Sequence, residues 1–234
     1  MPINFPFYNP ESHQKIIKLL EEKSPSAIVT LVEDDISVLE DGDFNITSVY
    51  VKKENGKEIL YNKGRIKLKI EAERKESRGA NVIARINSHK KKKIVITAHM
   101  DTKYGTPGAL DNGTGIAILL ILSSLINSED INYCLELLLL NGEDYYSTPG
   151  QVKYMEKYLT GNQNIALAIN CDGIGLKDSD TAIALMEIKA TREKFIKKLV
   201  SKRAGIKFIE SWVEGDHMLF VMNQIPTIAL TSKD

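Results

Sequence analysis

From residue 81 onward, short runs of consecutive apolar residues alternate with longer segments of helical length. Three runs are apolar at nearly every position, which is typical of strands covered on both faces of a sheet: 94–98, 135–140 and 165–169. The helical segments that follow them are 114–127, 149–159 and 191–204. Because strands that alternate with helices form parallel pairs, this order predicts an α/β domain.

Further elements complete this domain, with strands predicted at 81–86, 182–185, 206–209 and 227–230 and a helix at 218–223. We expect the first two strands of the domain to form a hairpin, with the lysine-rich stretch 87–93 as its solvated turn. Helix 114–127 is apolar on most faces, so it should lie buried against the sheet. Residues 77–234 are predicted to form a three-layer α/β/α domain with a mixed, mostly parallel central sheet.

The first 76 residues differ in texture and are predicted to form a small, separate α+β unit. A helix is expected at 10–22, and strands are expected at 27–32, 44–51 and 65–71. In the last strand, apolar residues alternate with lysines, as in a half-buried strand. Asn55-Gly56 is a turn signal. A charged connector at 71–79 marks the boundary, and the unit contains no catalytic cluster.

Composition narrows the range of partners. The chain has 31 basic and 31 acidic side chains, so no net charge attracts nucleic acid or an anionic membrane. The N-terminus lacks a basic segment followed by an apolar one, and the longest apolar run is too short to span a bilayer. We therefore expect a soluble cytoplasmic protein in which Cys134 and Cys171 are buried free thiols.

Candidate catalytic side chains stand where predicted strands end. His99 and Asp101 follow the strand at 94–98, and a carboxylate on the second ring nitrogen would orient a metal-binding histidine. A packed core histidine beside an aspartate gives the same pattern. Glu143 and Asp144 follow the strand at 135–140, either as a metal ligand beside a base or as a solvated pair of acids.

Further candidates flank the predicted helices and the third strand. Asp111 precedes helix 114–127, as a helix N-cap or as a ligand in a site with net negative charge. Asp172 follows the strand at 165–169. His217 comes just before helix 218–223, as a ligand, a substrate-binding group or a packed histidine.

One histidine and several carboxylates at separate strand ends together indicate a bound cation. Open α/β sheets place their sites at the carboxyl ends of strands. The nitrogen and oxygen donors suit zinc, cobalt or manganese. The sequence contains no P-loop, no glycine-rich dinucleotide motif and no serine in a nucleophile elbow.

An ordered series of motifs from residue 81 to the C-terminus resembles the two-zinc aminopeptidases. That family includes bacterial leucyl aminopeptidases and, more distantly, glutaminyl cyclases. The motifs are AHMD, PGALDNGTGIA, LLNGED, INCDGIG, GDHMLF and IPTIAL. The resemblance implies a zinc-exopeptidase-like fold for this part of the chain. Residues 1–76 more weakly resemble a shortened protease-associated domain.

The resemblance implies two zinc ions and assigns ligands to them. His99 and Asp172 would bind one zinc, Asp111 would bridge both, and Asp144 would bind the second. In the family, a later His-Thr segment supplies a histidine to the second zinc, and this sequence stops at Thr231-Ser232-Lys233-Asp234 without it. We therefore expect a catalytic domain at 77–234 that lacks its C-terminal segment, with His217 as a possible substitute ligand.

The resemblance also implies a mechanism. Glu143 would be the general base acting on a metal-bound water, and Asp101 would orient His99. A non-proline cis peptide would join Asp111 to Asn112. The implied activity is a zinc-dependent aminopeptidase that acts on peptide substrates. The alternatives are a glutaminyl-cyclase or carboxypeptidase-type enzyme and a non-catalytic binding protein that keeps the fold.

Overall fold

The computed structural model describes residues 11–32, 46–61, 64–71, 73, 76–103, 105–126, 131–144, 148–161 and 164–233. The chain divides into two compact units, Met1–Arg78 and Gly79–Asp234, and each is described by itself. Among the described helices, none combines the length and the apolar character that crossing a bilayer requires.

The N-terminal unit pairs two parallel strands with two helices in its described residues. The elements are α1 (Glu11–Lys23), β1 (Ile28–Val32), β2 (Ser48–Lys52) and α2 (Lys53–Tyr61). The predicted turn at Asn55-Gly56 is wrong, because both residues lie inside α2. A Cβ atom on Gly56 would stand 2.1 Å from Leu31 Cδ2, so the absence of a side chain lets β1 approach the helix.

The predicted strand at 65–71 is also wrong. These residues are irregular and exposed, and no strand among the described residues pairs with them. Ile66, Leu68 and Ile70 keep 55%, 38% and 46% of their surface exposed. Alternation of apolar and polar residues makes a strand only when a neighbour covers the apolar face. The start of the predicted strand at 44–51 lies outside the described residues.

The C-terminal unit is an α/β domain built on one seven-stranded sheet in its described residues. Its elements are β3 (Val82–Ile86), β4 (Lys93–His99), α3 (Thr114–Leu125), β5 (Cys134–Leu140), α4 (Pro149–Tyr158), β6 (Ile165–Cys171), β7 (Asp180–Met186), α5 (Ala190–Val200), β8 (Ile206–Phe208), α6 (Met218–Val221) and β9 (Thr227–Lys233). The strand order is β3-β5-β4-β6-β9-β7-β8. The pairs β3–β5 and β7–β9 are antiparallel and the other pairs are parallel. The predicted α/β fold with a mixed, mostly parallel sheet is confirmed.

The predicted hairpin between the first two strands of this sheet is wrong. β5 lies between β3 and β4, antiparallel to the former and parallel to the latter. The connection 87–92 therefore spans the width of β5, and Asn87 Nδ2 donates to the carbonyl of Ile131 just before that strand. Because β5 is apolar almost throughout, it is suited to an interior place with a neighbour on each side.

Hydrophobic clusters cover both faces of the sheet. On one face, Tyr154 of α4 and Phe220 of α6 pack with Leu138 of β5. On the other face, Leu119 of α3 packs with Ile96 of β4. Helices therefore lie on both sides of the sheet, as the three-layer prediction requires. The two predicted buried free thiols are confirmed: Cys134 and Cys171.

The apolar helix α3 is only partly covered, whereas the sequence predicted a buried helix. Gly115 and Leu119 are buried, but Leu120, Ile121 and Leu125 keep 60%, 56% and 73% of their surface exposed. A helix contacts a sheet along one stripe of its surface. Because α3 is apolar all round, its outer stripe is apolar and exposed as well.

A buried carboxylate lies near the amino end of β5. The fully buried side chain of Glu136 accepts hydrogen bonds from Arg85 Nε at 2.6 Å, Lys93 Nζ at 2.9 Å and Tyr154 OH at 2.5 Å. Burial opposes its ionisation, but these three donors outweigh burial and lower the pKa of Glu136. The protein thus neutralises this carboxylate with its own groups.

Candidate metal centre

His99 is the last residue of β4, and its side chain is buried at the carboxyl edge of the sheet. Its Nδ1 lies 3.0 Å from the main-chain carbonyl oxygen of Asp101, which can accept a hydrogen bond from Nδ1–H. We expected the carboxylate of Asp101 in this role, but its Oδ1 is 3.8 Å away. A neutral ring held in this way keeps the lone pair of Nε2 for a metal.

The carboxylate of Asp101 binds the neighbouring loop instead. Its oxygens accept hydrogen bonds from the main-chain N–H groups of Gly142 at 2.6 Å, Glu143 at 3.1 Å and Asp144 at 3.0 Å. Since β4 and β5 are parallel neighbours, their carboxyl ends meet at one edge of the sheet. Asp101 therefore ties the exit of β4 to the loop that carries Glu143 and Asp144.

Asp111 lies in an irregular helical turn, Ala109–Gly113, that leads into α3. The peptide bond between Asp111 and Asn112 is cis, as the resemblance implied. The buried Asn112 side chain donates from Nδ2 to the carbonyl of Cys171 at 2.9 Å, which ties the turn to the end of β6. Asp111 Oδ1 is then 3.0 Å from His99 Nε2.

Asp172 directly follows β6, and its Oδ1 lies 3.5 Å from His99 Nε2. Two residues earlier on each strand, on the same face of the sheet, Thr97 is paired with Asn170. Both side chains are buried, and their polar ends have no hydrogen-bond partner among the described residues. A buried polar layer thus separates the candidate ligands from the apolar core beneath them.

Glu143 and Asp144 both lie on the loop after β5, and their surroundings are strongly acidic. Glu143 Oε2 is 4.0 Å from His99 Nε2. Burial, followed by the charge of Asp216, raises the pKa of Glu143. Burial, followed by the charge of Asp111, raises the pKa of Asp144. The raised values indicate that this edge of the sheet carries excess negative charge.

Sequence reasoning missed Asp216, a fully buried acid just before α6. Gln151 Nε2 donates to its Oδ1 at 2.5 Å, whereas Oδ2 is buried without a hydrogen-bond partner in the described structure. Burial is the main cause of the raised pKa of Asp216. The signal was present in the sequence Gly215-Asp216-His217, where only the histidine was interpreted.

His217 lies near the site as a packed histidine. Its ring is buried, its Nε2 lies 3.0 Å from the carbonyl oxygen of Trp212, and the two rings are 4.8 Å apart. Burial lowers the pKa of His217. The groups of possible ligand atoms in the described part of the chain do not include it. This geometry favours a packing role over metal binding.

The residues around His99 fit a divalent cation. Donor atoms of His99, Asp111 and Asp172 lie within 4.8 Å of one another, and His99 Nε2 is buried without a hydrogen-bond partner among the described residues. Burial would lower the pKa of His99, but Asp172, Asp216 and Glu143 raise it to about 10. A field that holds a proton so firmly also favours a metal ion at this nitrogen, with release of the proton. One imidazole and two carboxylates suit zinc, cobalt or manganese.

A second group of donor atoms comes from His99, Asp101 and Asp144. This group is unsuited to an ion, because the Asp101 carboxylate already accepts main-chain hydrogen bonds and His99 Nδ1 faces a carbonyl. Asp144 Oδ2 is buried without a hydrogen-bond partner in the residues described. Asp144 therefore has a carboxylate oxygen that the described residues leave without a partner, near enough to Asp111 for that charge to raise its pKa.

The candidate ligands open into a cleft of about 410 Å³. Its lining combines acids with apolar side chains, two glycines and two hydroxyl residues. The lining residues are Leu110, Asp111, Glu143, Asp172, Gly173, Leu176, Trp212, Glu214, Gly215, Thr231 and Ser232. The cleft thus gives a substrate access to the candidate base and to two candidate ligands. An apolar cleft with a few convergent polar groups is the usual form of a small-molecule site.

Comparisons with solved structures show a shared architecture. The zinc aminopeptidase BSAP from Bacillus subtilis matches with a TM-score of 0.66 and 16% identity, over 95% of this chain and 57% of that one. A leucine aminopeptidase precursor from Bacteroides thetaiotaomicron matches with a TM-score of 0.52 and 19% identity, over 65% and 64% of the chains. Glutaminyl cyclase from the same organism, bound to N-acetylhistamine, matches with a TM-score of 0.53 and 19% identity, over 66% of this chain and 64% of that one.

These structures show that the fold is shared. Because their sequence identities are low, they show nothing finer than the fold. The chain spans 64% or less of the length of each of the three. None of the curated proteins compared with it matches. A model of peptidase family M28 matches residues 81–234, which is more than half of the chain and includes every candidate ligand. The resemblance of residues 1–76 to a protease-associated domain stays a prediction. The chain belongs to peptidase family M28, and this family match supports a metal-dependent peptidase-type function.

Proposed function

We propose that this protein is a zinc-dependent aminopeptidase that removes N-terminal residues from peptides. The observation that carries the proposal is the convergence of His99, Asp111, Asp172 and Glu143 on one cleft at the carboxyl edge of the sheet. The match to peptidase family M28 and the fold shared with zinc aminopeptidases support it.

His99, Asp111 and Asp172 would hold a zinc ion, and Asp144 would join Asp111 in holding a second. When bound, zinc supplies a Lewis acid that polarises the scissile carbonyl and makes water more acidic. The loop hydrogen bonds to Asp101 fix the main chain at Glu143 and Asp144. The ligands and the base are thereby held in one arrangement before substrate arrives.

Glu143 is the proposed general base. Its raised pKa keeps its proton affinity above that of an ordinary glutamate, which suits a group that must both accept and return a proton. It would take a proton from the attacking water and give it to the amine that leaves. The side chain is 17% exposed, so it is shielded from bulk water and still faces the cleft.

Glutaminyl cyclisation is a second candidate, because a glutaminyl cyclase has the same fold at a similar TM-score. In that reaction the substrate amine attacks its own side-chain amide, and an acid group beside the cleft moves the proton. The same residues could serve both reactions. The products differ, since one reaction releases a free amino acid and the other releases ammonia.

The test is turnover by the zinc-loaded full chain with a leucyl fluorogenic amide, a short peptide and a peptide with N-terminal glutamine. We expect release of the N-terminal residue. Glu143→Gln should lower kcat by about 10³-fold with bound zinc unchanged. Glu156→Gln, on the exposed face of α4, is the matched control and should keep wild-type turnover. Release of ammonia alone would favour the cyclase, and a folded, zinc-loaded protein without turnover would overturn both proposals.

A further inference from the structure

The cleft of the candidate metal centre carries one more acid than the proposed chemistry uses. Asp111, Glu143, Asp172 and Glu214 line it, and its described lining includes no lysine, arginine or histidine. The cleft is a ligand site on separate grounds, because the buried Nε2 of His99 faces these acids without a hydrogen-bond partner among the described residues.

The fourth acid stands apart from the ligand set. Asp111 and Asp172 belong to the group of donor atoms around His99, and Glu143 is 4.0 Å from the same ring. Glu214 is exposed and lies outside both groups of possible ligand atoms in the described residues. A divalent cation offsets the charge of its own ligands. The charge of Glu214 remains to act on whatever enters the cleft.

Trp212 lines the same cleft as this acid. It lies two residues before Glu214, in the segment between β8 and α6, and both side chains belong to the lining. The contact of Trp212 with the packed His217 holds the indole in place. An aromatic face next to a carboxylate attracts an organic cation through its quadrupole and through the negative charge.

The other walls suit a long aliphatic stem. Leu110 and Leu176 line the same cleft as the metal ligands and Glu214 and offer apolar surface there. Lysine and arginine side chains combine such a stem with a terminal cation. An acidic side chain would meet a cleft of its own charge, and a small apolar one would leave Glu214 without a partner.

Resting on the proposed aminopeptidase function, we propose that this cleft selects substrates whose N-terminal residue is lysine or arginine. Glu214 and Trp212 would be the specificity-determining residues. The stem would lie along Leu110 and Leu176 while the substrate carbonyl faces Glu143. Because Glu214 is exposed, its preference should be a matter of several-fold and should weaken as salt is added.

The experiment measures binding and turnover separately on the zinc-loaded full chain. Calorimetry compares lysinamide with norleucinamide, which has the same carbon skeleton without the terminal ammonium. We expect lysinamide to bind about fivefold more tightly. Glu214→Gln should reduce the ratio to about twofold or less. Glu210→Gln removes an exposed acid from the same segment, outside the cleft lining, and should keep the fivefold ratio.

The outcomes of binding and turnover can be told apart. Equal binding of the two amides, failure of lysinamide to bind, or a ratio that Glu214→Gln leaves unchanged would overturn the proposed selectivity. Lysinamide selectivity without hydrolysis of lysyl substrates would support the selectivity and count against the aminopeptidase function. Hydrolysis that treats lysyl and norleucyl amides alike would support the function and overturn the selectivity.

Discussion

A glutamate lies near each end of β5, Glu136 within the strand and Glu143 on the loop that follows it, and their surroundings are opposite. At the amino end, Glu136 accepts hydrogen bonds from a lysine, an arginine and a tyrosine. At the carboxyl end, Glu143 is surrounded mainly by other acids. Among them, Asp216 has the largest effect on the pKa of Glu143. Burial opposes ionisation at both, yet the pKa of Glu136 is lowered and that of Glu143 is raised.

This contrast distinguishes a carboxylate that the protein compensates with its own groups from one that it leaves among other acids. The groups around Glu136 complete its hydrogen bonding, so nothing else is required there. The acids near Glu143 remain uncompensated until a cation or protons enter. Carboxylates that the protein leaves without internal partners therefore mark the end of the sheet where a ligand belongs.

The largest effect on stability is expected at the amino end of β5, where Glu136 has all its hydrogen-bond partners. Glu136→Gln leaves Arg85 and Lys93 without their buried counter-charge, and should lower the free energy of unfolding by about 3 kcal/mol. Activity per folded molecule should stay near the wild-type value. The measurement is urea unfolding of the metal-free protein. In the same experiment, Glu143→Gln should not destabilise, because it removes one of several repelling acids; the comparison fails if both variants lose stability equally.

Zinc bound at the candidate ligands, near the carboxyl end of β5, should stabilise the folded protein. At a free zinc concentration about 100-fold above its Kd, the free energy of unfolding should rise by about 2.7 kcal/mol. His99→Ala should remove this gain, because His99 supplies the nitrogen of the donor group. Thermal unfolding with zinc and with chelator measures both proteins. A gain that survives in His99→Ala would place the ion elsewhere.

The third effect concerns pH in the metal-free protein, and it is the smallest of the three when taken per pH unit. Folding raises the pKa of His99 from 6.5 to about 10, so the folded chain binds this proton more tightly than the unfolded chain. That contribution is complete below pH 6.5 and is lost as pH rises towards 10. Over this window the contribution of His99 to stability should fall by at most about 1.4 kcal/mol per pH unit. Urea unfolding across the window checks this, and a His99→Gln variant with an unchanged slope would contradict it.

The sequence predicted the strands of the sheet well where hydrophobicity alone decides the structure. β5 and β6 are apolar at nearly every position, and such strands occur almost only in the interior of a sheet. Because the candidate site acids follow these strands closely, their places at the sheet edge could be predicted from the strand ends. The cis peptide at Asp111-Asn112 was expected only through the family resemblance.

Pairing and local environment could not be predicted in the same way. The order β3-β5-β4 depends on which strands pair, and the one charged contact that accompanies the β3–β5 pairing, Arg85 with Glu136, was not interpreted from the sequence. Residues 65–71 show the alternation of a strand without a neighbour to pair with. Gly56 resembles a turn residue in sequence, whereas its place inside α2 is set by the contact with Leu31. These outcomes depend on distant parts of the chain.

The hydrogen bonds of the Asp101 carboxylate link the ends of two strands. The carboxylate accepts from the main chain at Gly142, Glu143 and Asp144, whereas the main-chain carbonyl of Asp101 faces the imidazole of His99. Removing the carboxylate is therefore expected to disturb the loop of the proposed base more than the histidine. One acidic side chain thus sets how the ends of two strands that are separate in sequence meet.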